Sequence, residues 1–237
     1  MIFVWILLGA AAVFCGYAVI PTYYNKKINS DIIRQAEGEN AVMLTFDDGP
    51  DERYTGKVLD VLKENSVKAT FFIVADQMLK SPQLVERMLE EGHCIGIHSY
   101  AHRNAWLKTP WQEKRDFENS VDLLKSYNWQ TPFYRPPWGH TNLFSMYYAK
   151  KHGFRVVLWS VMAQDWKKTS SKETIIKKLL ARTKEHSIIC LHDAGEHSGG
   201  AKGAPLRTIE ALKTVIPILK QKGYRFVTPE VAQYEAV

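Results

Sequence analysis

From residue 41 onward, short apolar runs alternate with longer amphipathic stretches, and this rhythm restricts the fold more than any other feature of the chain. Strand-like runs are predicted at Ala41–Phe46, Lys68–Val74, Cys94–His98, Phe133–Pro136, Arg155–Val161, Ser187–Asp193 and Tyr224–Thr228. Helical patterns fill the intervals at Thr55–Asn65, Pro82–Glu91, Pro110–Tyr127, Asn142–His152, Ser171–Lys184 and Pro205–Lys222. Strict alternation of this kind marks parallel βα units. A run such as Arg155–Val161, apolar on both faces, suits a strand covered by helices. Asp47, Asp48, His98, Arg135, Asp165 and His192 all fall at or just past the C-terminal end of a predicted strand. In a barrel those ends converge on one mouth, whereas an open doubly wound sheet would spread them along a line. The expectation is therefore an α/β fold, an incomplete (β/α)7 barrel.

With 237 residues, 46% of them hydrophobic, the chain has material for one large domain, expected over residues 41–237. The N-terminus is different in kind. Ile2 to Ile20 carries no charge, and about 20 such residues cross a hydrocarbon core as a helix. A cleaved signal peptide is the rival reading. An n-region without Lys or Arg and an apolar run longer than a usual h-region favour an uncleaved, single-pass anchor over residues 1–22. Residues 23–40 are polar, lack clear periodicity and read as a stalk. Lys26 and Lys27, just past the span, point by the positive-inside tendency to a cytoplasmic body; the chemistry below points to the extracytoplasmic side, which is the expectation. Cys15 lies in the anchor, and Cys94 and Cys190 fall in strand-like runs as buried core thiols, so no disulfide framework is expected. The net charge of +6 suits an anionic partner such as a cell-wall polymer or acidic lipid, or simply a lysine-rich solvated surface. No basic block interleaved with aromatics appears, so nucleic acid is not an expected partner. Oligomeric state is not legible in the sequence.

Two adjacent carboxylates, Asp47 and Asp48, end the run Ala41–Phe46 and are followed by the turn Gly49-Pro50. Neighbours on a strand face opposite ways, so the two can be aimed separately, one at a metal and one at a water. His98 and His102 follow another apolar run at a spacing of i and i+4, which in a helical or tight-turn conformation puts both imidazoles on one side. One Asp with two His is a three-ligand set that leaves positions open for water and substrate, as in catalytic zinc sites. His93, His140, His152, His186 and His197 have no such partners and read as structural or solvated. His197 to Gly203 faintly resembles a phosphate loop but lacks the Gly-Lys-Ser/Thr ending, and is read as a rim loop.

These residues resemble the NodB-like polysaccharide deacetylases, carbohydrate esterase family 4, from about Ala41 to Thr228 and in five separated motifs. Thr45-Phe46-Asp47-Asp48-Gly49-Pro50 is similar to the first, implying Asp47 as general base and Asp48 as metal ligand. His98-Ser99-Tyr100-Ala101-His102 is similar to the second, implying His98 and His102 as the other ligands. Arg135-Pro136-Pro137-Trp138-Gly139 is similar to the third, whose Arg holds the catalytic Asp and whose backbone after the prolines lines the substrate site. Asp165-Trp166 matches the core of the fourth, and Ile188 to Asp193 the fifth, implying His192 as general acid. The resemblance also implies a divalent cofactor, zinc first, with cobalt, nickel or manganese as other occupants.

The residue chemistry agrees with those roles. An ion at Asp48, His98 and His102 would polarise an amide carbonyl, Asp47 would take a proton from water, and His192 would protonate the leaving amine. Asp165 would fix the imidazole and Arg135 would keep Asp47 ionised. Trp166 and Leu191 are read either as the wall of an acetyl pocket or as ordinary core. Trp138 stands where Tyr is common in the family and contributes through its backbone N–H; Met162 stands where an additional Asp is often found. The expected activity is metal-dependent removal of N-acetyl groups from amino sugars of a cell-envelope polysaccharide, peptidoglycan or a chitin-like glycan. Its alternatives are deacylation of a lipid-linked sugar, a non-haem iron oxygenase built on the same two His and one carboxylate, and an inactive glycan-binding protein.

Overall fold

The computed structural model describes residues 1–229; the final residues of the domain expected over 41–237 lie outside that range. Within it, β1 (Ala41–Asp47) is buried along its whole length. Helices cover one face of its sheet and side chains fill the other. β2 (Thr70–Ile73), β3 (Cys94–Ile97), β4 (Phe133–Tyr134) and β5 (Arg155–Val156) continue outward on one side of it, and β7 (Ile188–His192) and β6 (Val161–Met162) on the other. Every pairing along this path is parallel. A short β8 (Arg225–Phe226) adds a parallel pair at the start of β1. The crossovers are α2 (Thr55–Glu64), α3 and α4 (Ala75–Met78, Pro82–Glu90), α5 (Pro110–Ser126), α6 (Ser145–Lys151), α7 (Lys172–Arg182) and α8 (Ala204–Gln221). This is the incomplete (β/α)7 barrel expected from the alternation.

The seven strands of the curled path are not the seven read from sequence. Arg155–Val161 is not one strand: its ends form β5 and β6, which occupy opposite edges of the sheet. Residues 157–160 bridge the gap between those edges, with the Val157 N–H donating to Tyr134 and the Ser160 N–H to Ile188. A run that must cross from one edge to the other cannot pair along its length, however apolar it is.

Residues 28–40, expected in the stalk, lie against the barrel. Ile33 exchanges hydrogen bonds with Val156 and Leu158 beside that bridge, the Ala36 N–H donates to His186, and Ile32 and Ala36 are buried. The long N-terminal helix α1 (Ile2–Lys27) contains a π-helical turn at Cys15–Val19. The Arg34 guanidinium reaches back to the carbonyls of Asn25, Lys26 and Asn29 and closes its C-terminal end, where cations complement the helix dipole. Two helices open on reciprocal capping boxes: Thr109 with Gln112 starts α5 and Ser171 with Thr174 starts α7.

The core has two layers. Leu44, Phe46, Phe71, Ile97, Ile189 and Leu191 pack under the helices, while Met43, Phe72, Phe133, Val157 and Ile188 fill the concave inside of the sheet. Strand alternation assigns each side chain to its layer, and the polar residues that end the strands open onto one mouth.

Candidate active site

Five strand ends bring the polar residues together. Asp47 and His192 are the last residues of β1 and β7 and are register partners. His98 and Arg135 come directly after β3 and β4, and Asp165 lies in the loop after β6. Asp48, Ser99 and His102 take positive φ angles of 79°, 73° and 49°, conformations that cost energy for residues with a Cβ and cluster at functional sites. Gly49 belongs to the same turn, and a side chain there would collide with the buried Asp193 carboxylate. Asp193 in turn accepts a hydrogen bond of 2.5 Å from Thr55, at the start of α2.

Asp48 Oδ1 lies 2.9 Å from His102 Nε2 and 3.4 Å from His98 Nε2. Burial works to raise the Asp48 pKa, but its bonds to His102 and His98 dominate and hold it well below the usual carboxylate range. The Arg135 backbone carbonyl accepts from His98 Nδ1 at 2.7 Å. A carbonyl can only accept, so Nδ1 carries a proton and Nε2 is the ring nitrogen turned to Asp48. His102 Nδ1 is buried without a hydrogen-bond partner. One carboxylate oxygen and two imidazole nitrogens, mutually within 4.8 Å, form a donor set able to hold a divalent ion. Ser198 adds a hydrogen bond to Asp48 Oδ2 at 2.9 Å; it lies in the loop that sequence had marked only as rim.

Asp47 sits beside this set with a different partner. Arg135, fully buried, donates from Nη1 to Asp47 Oδ1 and to Thr45 Oγ1, both at 2.7 Å, and from Nε to the Val157 carbonyl at 3.0 Å. Its guanidinium also lies 4.0 Å over the Phe72 ring. The pair thus comes with additional hydrogen bonds from Nη1 and Nε, while Nη2 is buried without a partner. On the far side, His192 Nδ1 meets Asp165 Oδ1 at 2.9 Å, and Asp165 Oδ2 accepts from the His192 backbone N–H and from Thr208. Burial disfavours the imidazolium, but the Asp165 charge and hydrogen bond outweigh it, with Asp48 and Asp47 adding, and the His192 pKa rises to about 10.

The aromatic and apolar residues expected around the site divide. Trp138 stands 4.4 Å from the His102 ring and is 43% exposed at the mouth, and Trp166 meets the His192 ring edge-on at 4.9 Å. Leu191 is a different matter: it is fully buried and belongs to the layer under the helices with Phe46. The residue of β7 that shares a face with His192 is Cys190, whose thiol lies 3.4 Å from Asp47 Oδ2. The period-two alternation of a strand identifies Cys190 from sequence, and an acetyl-pocket wall at Leu191 contradicts it. A cavity of 590 Å³ lined by His93, Cys94, Trp129 and Phe154 lies at the opposite, N-terminal ends of β3 to β5 and shares no residue with this cluster.

Residues 34–157, more than half of the chain, match the family model described as polysaccharide deacetylase. The chain belongs to the polysaccharide deacetylase family. It is 38% identical over 189 residues to a peptidoglycan-N-acetylglucosamine deacetylase of Bacillus cereus, an alignment covering 79% of this chain and 66% of that protein. It is 34% identical over 200 residues to a second Bacillus cereus protein of the same description, covering 83% and 90%. Among solved structures, the Bc1960 peptidoglycan N-acetylglucosamine deacetylase in complex with a naphthalenyl N-oxidanyl-benzamide superposes with a TM-score of 0.75 at 34% identity, covering 84% of this chain and 90% of that one.

Proposed function

We propose that this polysaccharide deacetylase removes N-acetyl groups from amino sugars of cell-wall peptidoglycan, in a metal-dependent reaction on the extracytoplasmic face of the membrane to which α1 anchors it. The observation that carries the reading is the convergence of Asp48, His98 and His102 on one point, with the Arg135-held Asp47 and the Asp165-held His192 beside it. The named activities of the Bacillus cereus relatives support the same substrate class.

A divalent ion held by Asp48, His98 and His102, zinc first given one oxygen and two imidazole donors, would supply Lewis-acid polarisation of the acyl carbonyl. The remaining work falls to the chain's own groups. Asp47, held by Arg135, takes the proton of the attacking water. His192 is protonated at neutral pH with its pKa near 10 and delivers a proton to the amine nitrogen as the C–N bond breaks. Asp165 holds its Nδ1, so Nε2 is the donor. Trp166 meets the His192 ring and Cys190 lies beside it, so these two side chains border the side of His192 away from Asp165. An oxygenase sharing the Asp/His/His set has no need of this second carboxylate and distal imidazolium.

The test is acetate release from N-acetylated peptidoglycan and from chitooligosaccharides, with chelation and add-back of zinc, cobalt, nickel or manganese. Activity should vanish on chelation and return with one of the ions, and Asp47→Asn should abolish it in the metal-loaded protein. Turnover indifferent to chelation would overturn the reading.

A further inference from the structure

Apart from the N-terminal residues, the largest exposures of big apolar side chains are gathered beside α1. Leu107 is 80% exposed, Trp111 73% and Leu143 61%. Leu107 and Leu143 lie in segments that grip the helix at the end of its apolar run, and Trp111 lies in the first turn of α5, just past the first of those segments. Tyr17 donates its hydroxyl to the carbonyl of Lys108, next to Leu107, and its backbone carbonyl accepts the N–H of Leu143 itself. Phe14 meets Trp106 edge-on at 5.9 Å. From Met1 to Gly16 the helix is exposed all round, and from Ala18 onward one face is buried, with Thr22 and Asn25 bonded to Thr141. The anchor is not followed by a free tether: its second half is packed into the domain.

Depth follows from length. The charge-free run Ile2–Ile20 is just long enough to cross at about 1.5 Å per residue, so its last turns, Tyr17 to Ile20, lie at the hydrocarbon boundary. Groups hydrogen-bonded to Tyr17 lie at the same height. Resting on the reading of α1 as a membrane span, we infer that the face carrying Leu107, Trp111 and Leu143 is a bilayer-docking surface, and that the domain lies on the membrane rather than standing off from it. The occupant is lipid. The patch is continuous with the apolar helix, a Trp and a Tyr mark the level at which interfacial aromatics anchor, and an exposed apolar patch of this kind marks an interaction surface.

The docking fixes the height of the site. Lys26, nine residues past Tyr17 and so about 14 Å further along the axis, donates to the Trp138 carbonyl at 3.0 Å, and the Trp138 ring touches His102. The mouth therefore opens within reach of the headgroups, and the amino sugars it meets are those attached to or just leaving the membrane. This deepens the substrate reading above.

The test uses the full chain in liposomes of phosphatidylethanolamine and phosphatidylglycerol containing lipids brominated near the headgroup end of the acyl chain. With Trp5 of the span and Trp106 beside Phe14 removed as Trp5→Phe and Trp106→Phe, tryptophan fluorescence should be quenched, and a further Trp111→Phe should remove most of the quenchable signal. Leu107→Glu with Leu143→Glu should leave acetate release from soluble chitooligosaccharide unchanged while slowing release from N-acetylglucosamine on a polyprenyl diphosphate in the same liposomes by about tenfold. Quenching that Trp111→Phe does not alter, or a Glu double variant equally fast on both substrates, overturns the docking. Protein that alkaline carbonate strips from the liposomes overturns the span and the docking with it. A wild-type chain inactive on both substrates refutes the deacetylase reading alone, since the quenching result stands without turnover.

Discussion

Replacing Arg135 by Met removes a fully buried guanidinium that bonds Asp47, Thr45 and Val157 and lies over Phe72. Met retains much of the packing volume, so the dominant loss is electrostatic: Asp47, itself buried, is left without its counter-charge. Breaking one side of such a pair costs about 3–5 kcal/mol. At about 2–4 °C per kcal/mol for a chain of this size, the melting temperature should fall by about 6–20 °C. Asp47→Asn produces the reverse fault, a buried guanidinium that keeps Thr45 and Val157 as acceptors but loses its carboxylate, and should also destabilise. The double variant removes both charges together, so it should be more stable than the sum of the single losses predicts, with a coupling of about 2–3 kcal/mol. The assay is thermal unfolding of the four metal-loaded proteins, full chain in one detergent, followed by circular dichroism. If the two losses add within about 0.5 kcal/mol, the two charges do not stabilise one another in the folded site, and the role given to Arg135 fails.

The remaining predictions address the other groups around Asp48. Because its folded pKa is raised from 6.5 to about 10, protonated His192 contributes stability that is complete below 6.5 and is lost as pH rises through 10. Asp165→Asn removes the charge that raises it, so the alkaline limb of kcat/KM should move down towards 6.5 while the acid limb stays in place; an unmoved alkaline limb would show that Asp165 does not set the imidazolium. Ser198→Ala deletes the hydrogen bond to Asp48 Oδ2 and, as the loss of a group that orients a metal ligand, should weaken metal affinity about 10–100-fold, read by competition with a fluorescent chelator. An unchanged affinity would leave Ser198 as loop packing only.

How far the site was legible before the fold was known depends on whether a residue's role is local. The Asp/His/His cluster was readable because its spacing is local: Asp47 and Asp48 share a strand end, and His98 and His102 a single turn. What failed was whatever depends on the partner. Arg155–Val161 has the composition of a buried strand, but the sheet needs its two ends on opposite edges, and no property of the run itself says so. Residues 28–40 look polar because only Ile32, Ile33 and Ala36 face the barrel, too few to produce a period. Leu191 was a failure of another sort, since alternation from His192 already assigns the site face to Cys190. The same reasoning separates the two halves of α1. Composition places Tyr17 and Thr22 near the end of an anchor, but only tertiary contacts show that they hold Lys108, Leu143 and Thr141. With α1 spanning the bilayer as proposed above, a helix whose polar half is bonded to the barrel would couple the site to the membrane mechanically, so a change in the length of the apolar run should shift the site's height instead of being absorbed by a linker.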